Sequence, residues 1–296
     1  MRHDVLVVGG SYAGLSAALQ LARARRRVVV IDAGQRRNRF AATSHGFLGQ
    51  DGRSPQAIVD DATAQLRAYP TVEIRRGTAL EAAADGDGLR VTMEGGDTLR
   101  GRRLLLAIGV ADELPAVPGL AERWGRHVFH CPYCHGYELD QGRIAVMATG
   151  PMAIHHALLL PDWGPTTLLL NDAFEPDAAQ REAIEARGVT VLAGRVRALH
   201  DAATVELADG TRHVFDGLFT MGRLHLASPL AGQLGCALEP GPVGDYIRRD
   251  PMTMETSVPG VFACGDAARP FGNVAIAVGD GTQAGAGVHR SLIPGL

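Results

Sequence analysis

Two cysteines near the middle of the chain carry the clearest chemistry. In the stretch Cys-Pro-Tyr-Cys-His, two residues separate Cys131 from Cys134, and His135 follows directly. Two thiols at this spacing can close into a disulfide, and a local geometry that lowers the pKa of one thiol lets the pair cycle. The same five residues also match the signature for covalent attachment of a c-type haem. The surrounding sequence has to decide between these interpretations.

Neither the haem nor the zinc interpretation finds support in the surrounding sequence. Covalent haem attachment needs export to an oxidising compartment and an axial ligand. The first four residues lead directly into an apolar run without a signal-peptide pattern, so we expect no export. Structural zinc takes four ligands, and His130 and His135 are poorly spaced to complete a set with the single cysteine pair. We therefore predict redox cycling of the thiols and no metal site.

Length and composition bound the class of protein. The chain has 296 residues, of which 46% are hydrophobic and 21% charged, with a formal net charge of −3. A chain of this length usually folds as more than one domain. The near-neutral charge gives no reason to expect a nucleic-acid partner or a membrane surface. No apolar run reaches transmembrane length, and four cysteines are too few for a disulfide scaffold. We expect a soluble cytoplasmic protein.

The N-terminal sequence has the pattern of a dinucleotide-binding βαβ unit. An apolar run at 5–8 leads into a glycine-rich turn, a helical stretch at 15–25 and a second apolar run at 28–31 that ends on Asp32. In such units the helix N-terminus faces the pyrophosphate and the terminal acid accepts a hydrogen bond from a ribose hydroxyl. Asp32 disfavours a 2′-phosphate, which indicates FAD or NAD rather than NADP. The turn residues predicted to bind the nucleotide are Gly9, Ser11, Tyr12, Ala13 and Gly14.

The same pattern recurs after the cysteine pair. A strand-like run at 144–147, a turn and a second run at 167–170 that ends on Asn171 repeat the spacing of the first unit. This self-similarity predicts two copies of one nucleotide-binding domain, the second inserted into the first. The second copy departs from the motif, because Ala148 replaces the first glycine, Pro151 lies in the turn and no arginine cluster follows Asn171. We favour a structural relic over an intact NAD(P)H site, and both interpretations remain open.

A further nucleotide signature lies near the C-terminus. Residues 256–266 form a strand-like pattern that ends in Gly265 and Asp266, and this stretch resembles the second FAD fingerprint of the two-dinucleotide-domain flavoproteins. The resemblance implies that Asp266 binds the ribityl chain or the adjoining phosphate. Residues 1–110 and 226–296 would then form a discontinuous FAD-binding domain. Residues 111–225 would form an inserted NAD(P)-binding-like domain that carries the cysteine pair.

These features resemble one family over essentially the whole chain. Two nested Rossmann copies, a Cys-x-x-Cys at the start of the second copy and a C-terminal Gly-Asp are similar to the low-molecular-weight thioredoxin reductase-like flavoproteins. The sequence Cys-Pro-Tyr-Cys-His-Gly is most similar to that of the FAD-dependent dithiol oxidases, since the reductases usually carry Asp where His135 stands. The resemblance implies an α/β fold with two nested Rossmann-like nucleotide-binding domains, and it implies a homodimer.

The resemblance also implies roles for individual residues. Cys134 is expected to be the thiol that contacts the flavin and passes electrons to it, while Cys131 faces the substrate. Ala275 lies in a glycine- and alanine-rich stretch at 273–287, which in this family covers the flavin. Asp280 in the same stretch is expected to face the flavin ring.

The function predicted from the sequence is FAD-dependent thiol–disulfide oxidoreduction. The preferred direction is oxidation of a small dithiol, with O2 as the electron acceptor. The alternatives are an NAD(P)H-dependent disulfide reductase that serves a thioredoxin-like protein, and a flavin-binding redox sensor with little turnover. His135 is interpreted either as a base for thiol protons or as a helix-start histidine bonded to backbone. Cys236 and Cys264 are interpreted as buried small apolar residues.

Overall fold

The computed structural model describes residues 3–296, which fold into two compact units. The first unit comprises the N-terminal residues up to Arg39, Phe47–Ala111 and Leu224–Leu296, and the second comprises Phe40–Gly46 and Asp112–Arg223. The crossings predicted from the sequence lie after residues 110 and 225, and Phe40–Gly46 falls inside the first predicted domain.

Two contacts hold Phe40–Gly46 in the second unit. A Cβ atom at Gly125 would lie 2.8 Å from the Cβ of Phe40, so the two backbones approach closely there. His45 Nε2 lies 3.4 Å from Glu138 Oε1. Both partners are distant in sequence, and this is why no local pattern places the segment correctly.

The N-terminal part of the first unit is a β-α-β series followed by antiparallel strands. Its elements are β1 (His3–Val8), α1 (Tyr12–Arg23), β2 (Val28–Asp32), α2 (Pro55–Arg67), β3 (Val72–Arg76), β4 (Ala79–Asp85), β5 (Gly88–Met93), β6 (Thr98–Leu106) and β7 (Val110–Glu113). β1 lies between β2 and β6 and runs parallel to both, and β3 extends the sheet beyond β2. Parallel strands are buried on both faces, which explains the nearly unbroken apolar sequence of β1 and β2.

The second unit repeats this order in shortened form. Its elements are β8 (Val128–Phe129), α3 (Pro132–His135), β9 (Ile144–Met147), α4 (Ala153–Leu159), β10 (Thr166–Leu169), α5 (Ala178–Ala186), β11 (Thr190–Leu192), β12 (Val196–His200), β13 (Ala203–Leu207), β14 (Arg212–Phe215) and β15 (Gly217–Phe219). A parallel sheet has the order β11-β10-β9-β15-β8, and β12–β14 form a separate antiparallel sheet. The series β9-α4-β10-α5-β11 matches β1-α1-β2-α2-β3, so the predicted α/β fold with two Rossmann-like copies is confirmed.

The chain then returns to complete the first unit. The remaining elements are β16 (Arg223–Leu226), α6 (Leu230–Gln233), β17 (Leu238–Glu239), β18 (Tyr246–Ile247), β19 (Val261–Ala263) and α7 (Val274–Ser291). β19 pairs in parallel with the second half of β6, and β5 pairs with the first half. The last strand therefore joins the seven-stranded sheet that the first strand begins.

Apolar side chains on both faces of the first sheet build two cores. Val5 and Val7 of β1 belong to a core that includes α1 and α7. Leu6 and Val8 point to the opposite face and belong to a core that includes β4, β5 and α6. Successive strand residues face opposite sides of a sheet, so one short apolar run supplies both cores.

Several short 3₁₀ turns complete the described structure. They occupy Arg37–Phe40, Ala121–Arg123, Tyr137–Leu139, Leu160–Asp162 and Gly265–Ala268. The last of these follows β19 directly and contains the C-terminal Gly-Asp pair. Among residues 3–296, no helix combines the length and the apolar character that crossing a membrane requires.

Candidate active site

Two glycines bring β1 and α1 into close contact at the predicted nucleotide turn. Gly9 has φ of +111°, a left-handed backbone that glycine adopts without strain. A Cβ atom at Gly9 would overlap the carbonyl oxygen of Ala107, and one at Gly14 would overlap the carbonyl oxygen of Gly9. No side chain fits at either position, which is what the turn of a dinucleotide-binding unit requires.

The N-terminus of α1 has no side-chain cap. Ser11 is the N-cap residue and has an extended backbone, but its side chain makes no capping hydrogen bond. Tyr12 and Ala13 begin the helix, and the Tyr12 hydroxyl accepts a hydrogen bond from the Asn38 amide (3.0 Å). The first N–H groups of a helix lack intrahelical partners and bind phosphate groups well. This end of α1 therefore fits a pyrophosphate.

Asp32 ends β2 beside this turn. One carboxylate oxygen accepts the backbone N–H of Gly34 (3.0 Å), and the other lies 3.4 Å from the Arg76 guanidinium. Gly10, which the sequence pattern does not single out, is needed because a Cβ atom there would lie 2.6 Å from Asp32 Cγ. Carboxylate oxygens can each accept more than one hydrogen bond, so Asp32 keeps capacity for ribose hydroxyls. In the following loop, the Nε of Arg36 is buried without a hydrogen-bond partner, as a donor awaiting an anionic ligand would be.

Asp266 lies in the turn that follows β19. Its Oδ2 is 3.3 Å from Arg37 Nη1, within the same unit. Arg37 gives no signal in the sequence, because the contact joins residues far apart in the chain. Ala275 lies half-buried in the first turn of α7. Every predicted FAD residue thus belongs to the first unit, and the glycine turn, the uncapped helix and the two acids fit FAD.

The expectation for Asp280 needs correction. Its side chain is fully buried and accepts hydrogen bonds from Arg249 Nη2 (2.8 Å), Arg269 Nε (2.9 Å) and the backbone N–H of Gly265 (2.8 Å). A carboxylate enclosed by three protein donors does not face a flavin ring. Asp280 instead lies behind the turn that carries Asp266.

The cysteine pair lies in the second unit. Cys131 and Cys134 form a disulfide, with their Cα atoms 5.3 Å apart. Cys131 is the extended N-cap residue of the one-turn helix α3, and the proline after it occupies the first helical position, where a missing N–H costs nothing. Both cysteines are half-buried, whereas Tyr133 between them is 70% exposed. The disulfide is therefore placed at the surface of the second unit.

His135 is a neutral imidazole without hydrogen bonds. Its ring stacks on Phe129, with the ring centroids 4.4 Å apart. Both ring nitrogens are buried and have no partner, which excludes the interpretation as a histidine bonded to backbone. Burial, together with the smaller effect of the charge of His45, lowers the pKa of His135 to about 4. The imidazole is consequently unprotonated at neutral pH.

The side chain of Asn171 bridges two backbone groups at the nucleotide turn of the second unit. Asn171 Nδ2 donates to the carbonyl oxygen of Ala148 (3.0 Å), and Asn171 Oδ1 accepts the backbone N–H of Val196 (2.8 Å). The next ten residues contain no arginine until Arg181, and they include three carboxylates. A 2′-phosphate would meet negative charge there, where NADP sites provide arginine. These residues do not provide the arginine that a 2′-phosphate needs.

The two remaining cysteines are buried in the first unit. Burial raises the pKa of both thiols, and at Cys264 the charge of Asp280 adds to this effect. Thiols of raised pKa are poor nucleophiles, in agreement with their interpretation as small apolar residues. Over residues 3–296, no cluster of three or more His, Cys, Asp or Glu is arranged to hold a metal ion.

A Rossmann-type FAD site in one unit and a Cys-x-x-Cys pair in the other are the features of a flavin-dependent disulfide oxidoreductase. Comparison with known proteins agrees. The chain belongs to the pyridine nucleotide-disulphide oxidoreductase family, whose model matches residues 3–281, and its fold is thioredoxin reductase-like. It is therefore an FAD-dependent oxidoreductase that acts on sulfur groups.

Three relatives cover nearly the whole chain. The crystal structure of the oxidoreductase from Agrobacterium tumefaciens is 54% identical, with a TM-score of 0.96 and 98% of each chain covered. The crystal structure of HlmI is 38% identical, with a TM-score of 0.90 and coverage of 98% of this chain and 92% of that one. Thioredoxin reductase tcpT of Claviceps purpurea (strain 20.1) is 34% identical over 310 residues, which span 99% of this chain and 95% of tcpT.

Proposed function

We propose that the protein is a dithiol oxidase, which closes a disulfide in a small dithiol and uses O2 as the electron acceptor. One dithiol and one O2 give one disulfide and one H2O2. The first unit would hold FAD, Cys131 and Cys134 would exchange disulfides with the substrate, and His135 would accept a thiol proton. The second unit would keep the fold of a nucleotide-binding domain without its cofactor.

The observation that carries this proposal is the bridged nucleotide turn of the second unit. Asn171 uses its amide to bridge Ala148 and Val196, and the residues that follow it supply carboxylates in place of the arginine that an NADP site provides. The alternative, an NAD(P)H-dependent reductase, would take its electrons from a nicotinamide nucleotide. If no nucleotide enters, the electrons have to come from a thiol substrate and leave through another acceptor. O2 can accept electrons directly from reduced flavin, so the protein needs no separate binding site for an electron acceptor.

In each thiol–disulfide exchange step, one sulfur–sulfur bond forms and one breaks, and the two cysteines take part in both steps. A substrate thiolate attacks Cys131 Sγ, the Cys131–Cys134 bond breaks, and Cys134 leaves as a thiolate. The second substrate thiolate then attacks the substrate sulfur of the mixed disulfide, so the product disulfide forms and Cys131 leaves. Cys131 and Cys134 would return to their disulfide by giving up this electron pair. Bound FAD would supply the two-electron acceptor for them, and the pair with two protons would reduce O2 to H2O2.

His135 is suited to take up a proton in this sequence. It is neutral at pH 7 because burial keeps its pKa at about 4, and both ring nitrogens are without partners. A thiolate formed close to the imidazole would stabilise the imidazolium and raise this pKa. The proton would therefore move to His135 as negative charge develops on sulfur.

The name of the Claviceps relative, thioredoxin reductase, supports a second candidate. In that case electrons would run from a nicotinamide nucleotide through FAD to Cys131 and Cys134, and then to a disulfide of a thioredoxin-like protein. The two candidates share the flavin and the cysteines and differ in the source of electrons. A redox sensor would bind FAD and show little turnover with either source.

Anaerobic reduction of the purified yellow protein separates these candidates. NADPH, NADH and a small dithiol are added in separate cuvettes, and air is admitted afterwards. We expect the dithiol alone to bleach the flavin, with colour and stoichiometric peroxide returning in air. Rapid bleaching by either nucleotide would overturn the oxidase. The Cys131→Ser protein is the control, because its flavin should stay oxidised with dithiol while its absorption spectrum remains that of the wild type.

The proposal includes a homodimer that works in the cytoplasm, as the family resemblance implies. One chain has a mass of 31.3 kDa. Light scattering on the purified flavoprotein should then give twice this mass. A monomeric mass at assay concentration would reject the dimer and leave the proposed chemistry untouched.

A further inference from the structure

A buried carboxylate lies behind the turn that carries Asp266. The Asp280 side chain projects from α7 and has no exposed surface. One of its oxygens accepts hydrogen bonds from both Arg249 and Arg269, and the other accepts the backbone N–H of Gly265. A buried charge is tolerated when it is paired and hydrogen-bonded, and this carboxylate meets both conditions.

Asp280 holds both ends of one short turn. Gly265 is the first residue of the 3₁₀ turn Gly265–Ala268, and Arg269 is the residue that follows it. Gly265 has a left-handed backbone with φ of +72°, and its buried N–H donates to Asp280. Asp266 lies between the two attachment points. The position of Asp266 therefore depends on a residue 14 positions further along the chain.

We propose that Asp280 is a positioning residue for FAD. Its carboxylate keeps the Gly265–Ala268 turn in the conformation that presents Asp266 to the cofactor. Asp280 acts through the Gly265 N–H and the Arg269 guanidinium and does not touch the cofactor. This role concerns the retention of FAD, so it does not depend on which substrate reduces the flavin.

The two arginines depend on Asp280 to different extents. Arg249 also donates to the Met254 sulfur and lies 3.5 Å from the carbonyl oxygen of Ala263, so it stays anchored when Asp280 changes. Arg269 is 38% exposed, and within residues 3–296 its guanidinium has no other hydrogen bond. Arg269→Gln therefore frees one end of the turn and leaves the Asp280–Arg249 pair and the Gly265 bond in place.

The second unit offers a matched control. Glu206 is also a buried carboxylate, and it pairs with Arg197 (3.1 Å), His200 (2.9 Å) and Arg212 (2.8 Å). It belongs to β13 and lies outside the unit that carries the FAD residues. Glu206→Gln removes the same charge from a cluster whose arginines are more exposed, Arg197 at 67% and Arg212 at 59%. A general effect of losing a buried carboxylate would appear in both variants.

The experiment measures FAD affinity in the full-length protein. Wild type, Asp280→Asn, Arg269→Gln and Glu206→Gln are stripped of flavin and titrated with FAD by the quenching of flavin fluorescence. Far-UV circular dichroism checks the fold of each apoprotein, and the visible spectrum of each reloaded protein reports the flavin environment. Asp280→Asn should raise the Kd for FAD at least about tenfold and Arg269→Gln about threefold, whereas Glu206→Gln should stay within about twofold of wild type.

Each outcome decides the proposal. A folded Asp280→Asn protein with the wild-type Kd and flavin spectrum would overturn it. An equal loss of affinity in Glu206→Gln would also overturn it, since the effect would then be general. If Asp280→Asn fails to fold, Arg269→Gln decides alone, and a wild-type Kd in that variant rejects the positioning role.

Discussion

Acidification is expected to destabilise the second unit through His156. This histidine lies on α4, is 3% exposed and meets the ring of Phe219 edge-on, with the centroids 6.1 Å apart. The pKa of His156 is lowered to about 4, chiefly by burial and in part by the charge of His155, while a hydrogen bond with the His130 backbone acts in the opposite direction. The unfolded chain therefore binds the proton more tightly than the folded one, and acid favours unfolding.

The two pKa values set the window and the size of the effect. The stability that neutral His156 contributes is present above its ordinary pKa of 6.5 and is lost as the pH falls from there towards about 4. One unit of pKa difference corresponds to about 1.4 kcal/mol. Lowering the pH from 7 to 5 should therefore remove about 2 kcal/mol from the free energy of unfolding of the second unit through His156 alone. The lowered pKa of His135 adds to the total loss in the same direction.

Tryptophan fluorescence isolates this unit. The chain has two tryptophans, Trp124 and Trp163, and both lie in the second unit. Urea unfolding at pH 7 and at pH 5 gives the loss of stability for each protein. His156→Gln should lose about 2 kcal/mol less than wild type over this interval. His155→Gln, at the exposed neighbouring position, should keep most of the wild-type loss. An unchanged pH dependence in His156→Gln would refute the assignment of this loss to burial of the imidazole.

Three further predictions follow from the geometry. Gly14→Val should yield a colourless protein, because the valine side chain would overlap the backbone of Gly9 and disrupt the nucleotide turn. The control Gly279→Ala should keep its flavin, because a Cβ atom at this position of α7 would meet no other atom. Phe219→Ala should cost the second unit about 3–5 kcal/mol in urea unfolding, since the ring is fully buried. Cys134→Ser, incubated with the disulfide form of the substrate, should accumulate a mixed disulfide, because the Cys131 thiolate attacks that disulfide and no Cys134 is present to displace the substrate. The mixed disulfide is visible as an added substrate mass, and a Cys131→Ser protein that gained the same mass would contradict the assignment of Cys131 as the cysteine that faces the substrate.

The fold could be predicted because its signals are local. Each apolar run that is buried on both faces became a parallel strand, and Asp32 marks the end of β2 as predicted. The repeat was visible because the second copy preserves the spacing from β9 to the end of β10 even where it loses glycine. Strand β19 was placed with the first domain through its Gly-Asp ending, and it pairs with β6 accordingly.

The site was only partly predictable because its remaining features depend on contacts across the chain. Arg37 reaches Asp266 over 229 positions, and no spacing rule signals such a contact. The sequence pattern of α7 places Asp280 on a helix. Only the tertiary structure shows that its carboxylate is buried against Arg249 and does not face a ligand. The pKa of His135 likewise depends on Phe129 and the burial around it, since its sequence position gives only the ordinary value.

The two copies of the nucleotide-binding fold show how one position serves two purposes. A carboxylate at Asp32 can only accept hydrogen bonds, so it suits ribose hydroxyls, which donate them. An amide at Asn171 donates and accepts, so it can bridge a carbonyl and an N–H of its own backbone. The backbone differs as well, because Asn171 has φ of +53°, a left-handed conformation that asparagine tolerates better than most residues. An acid placed at 171 would set a carboxylate against the Ala148 carbonyl. The second copy therefore differs from the first at this position in both side chain and backbone, and changing the side chain alone would not restore the arrangement at Asp32.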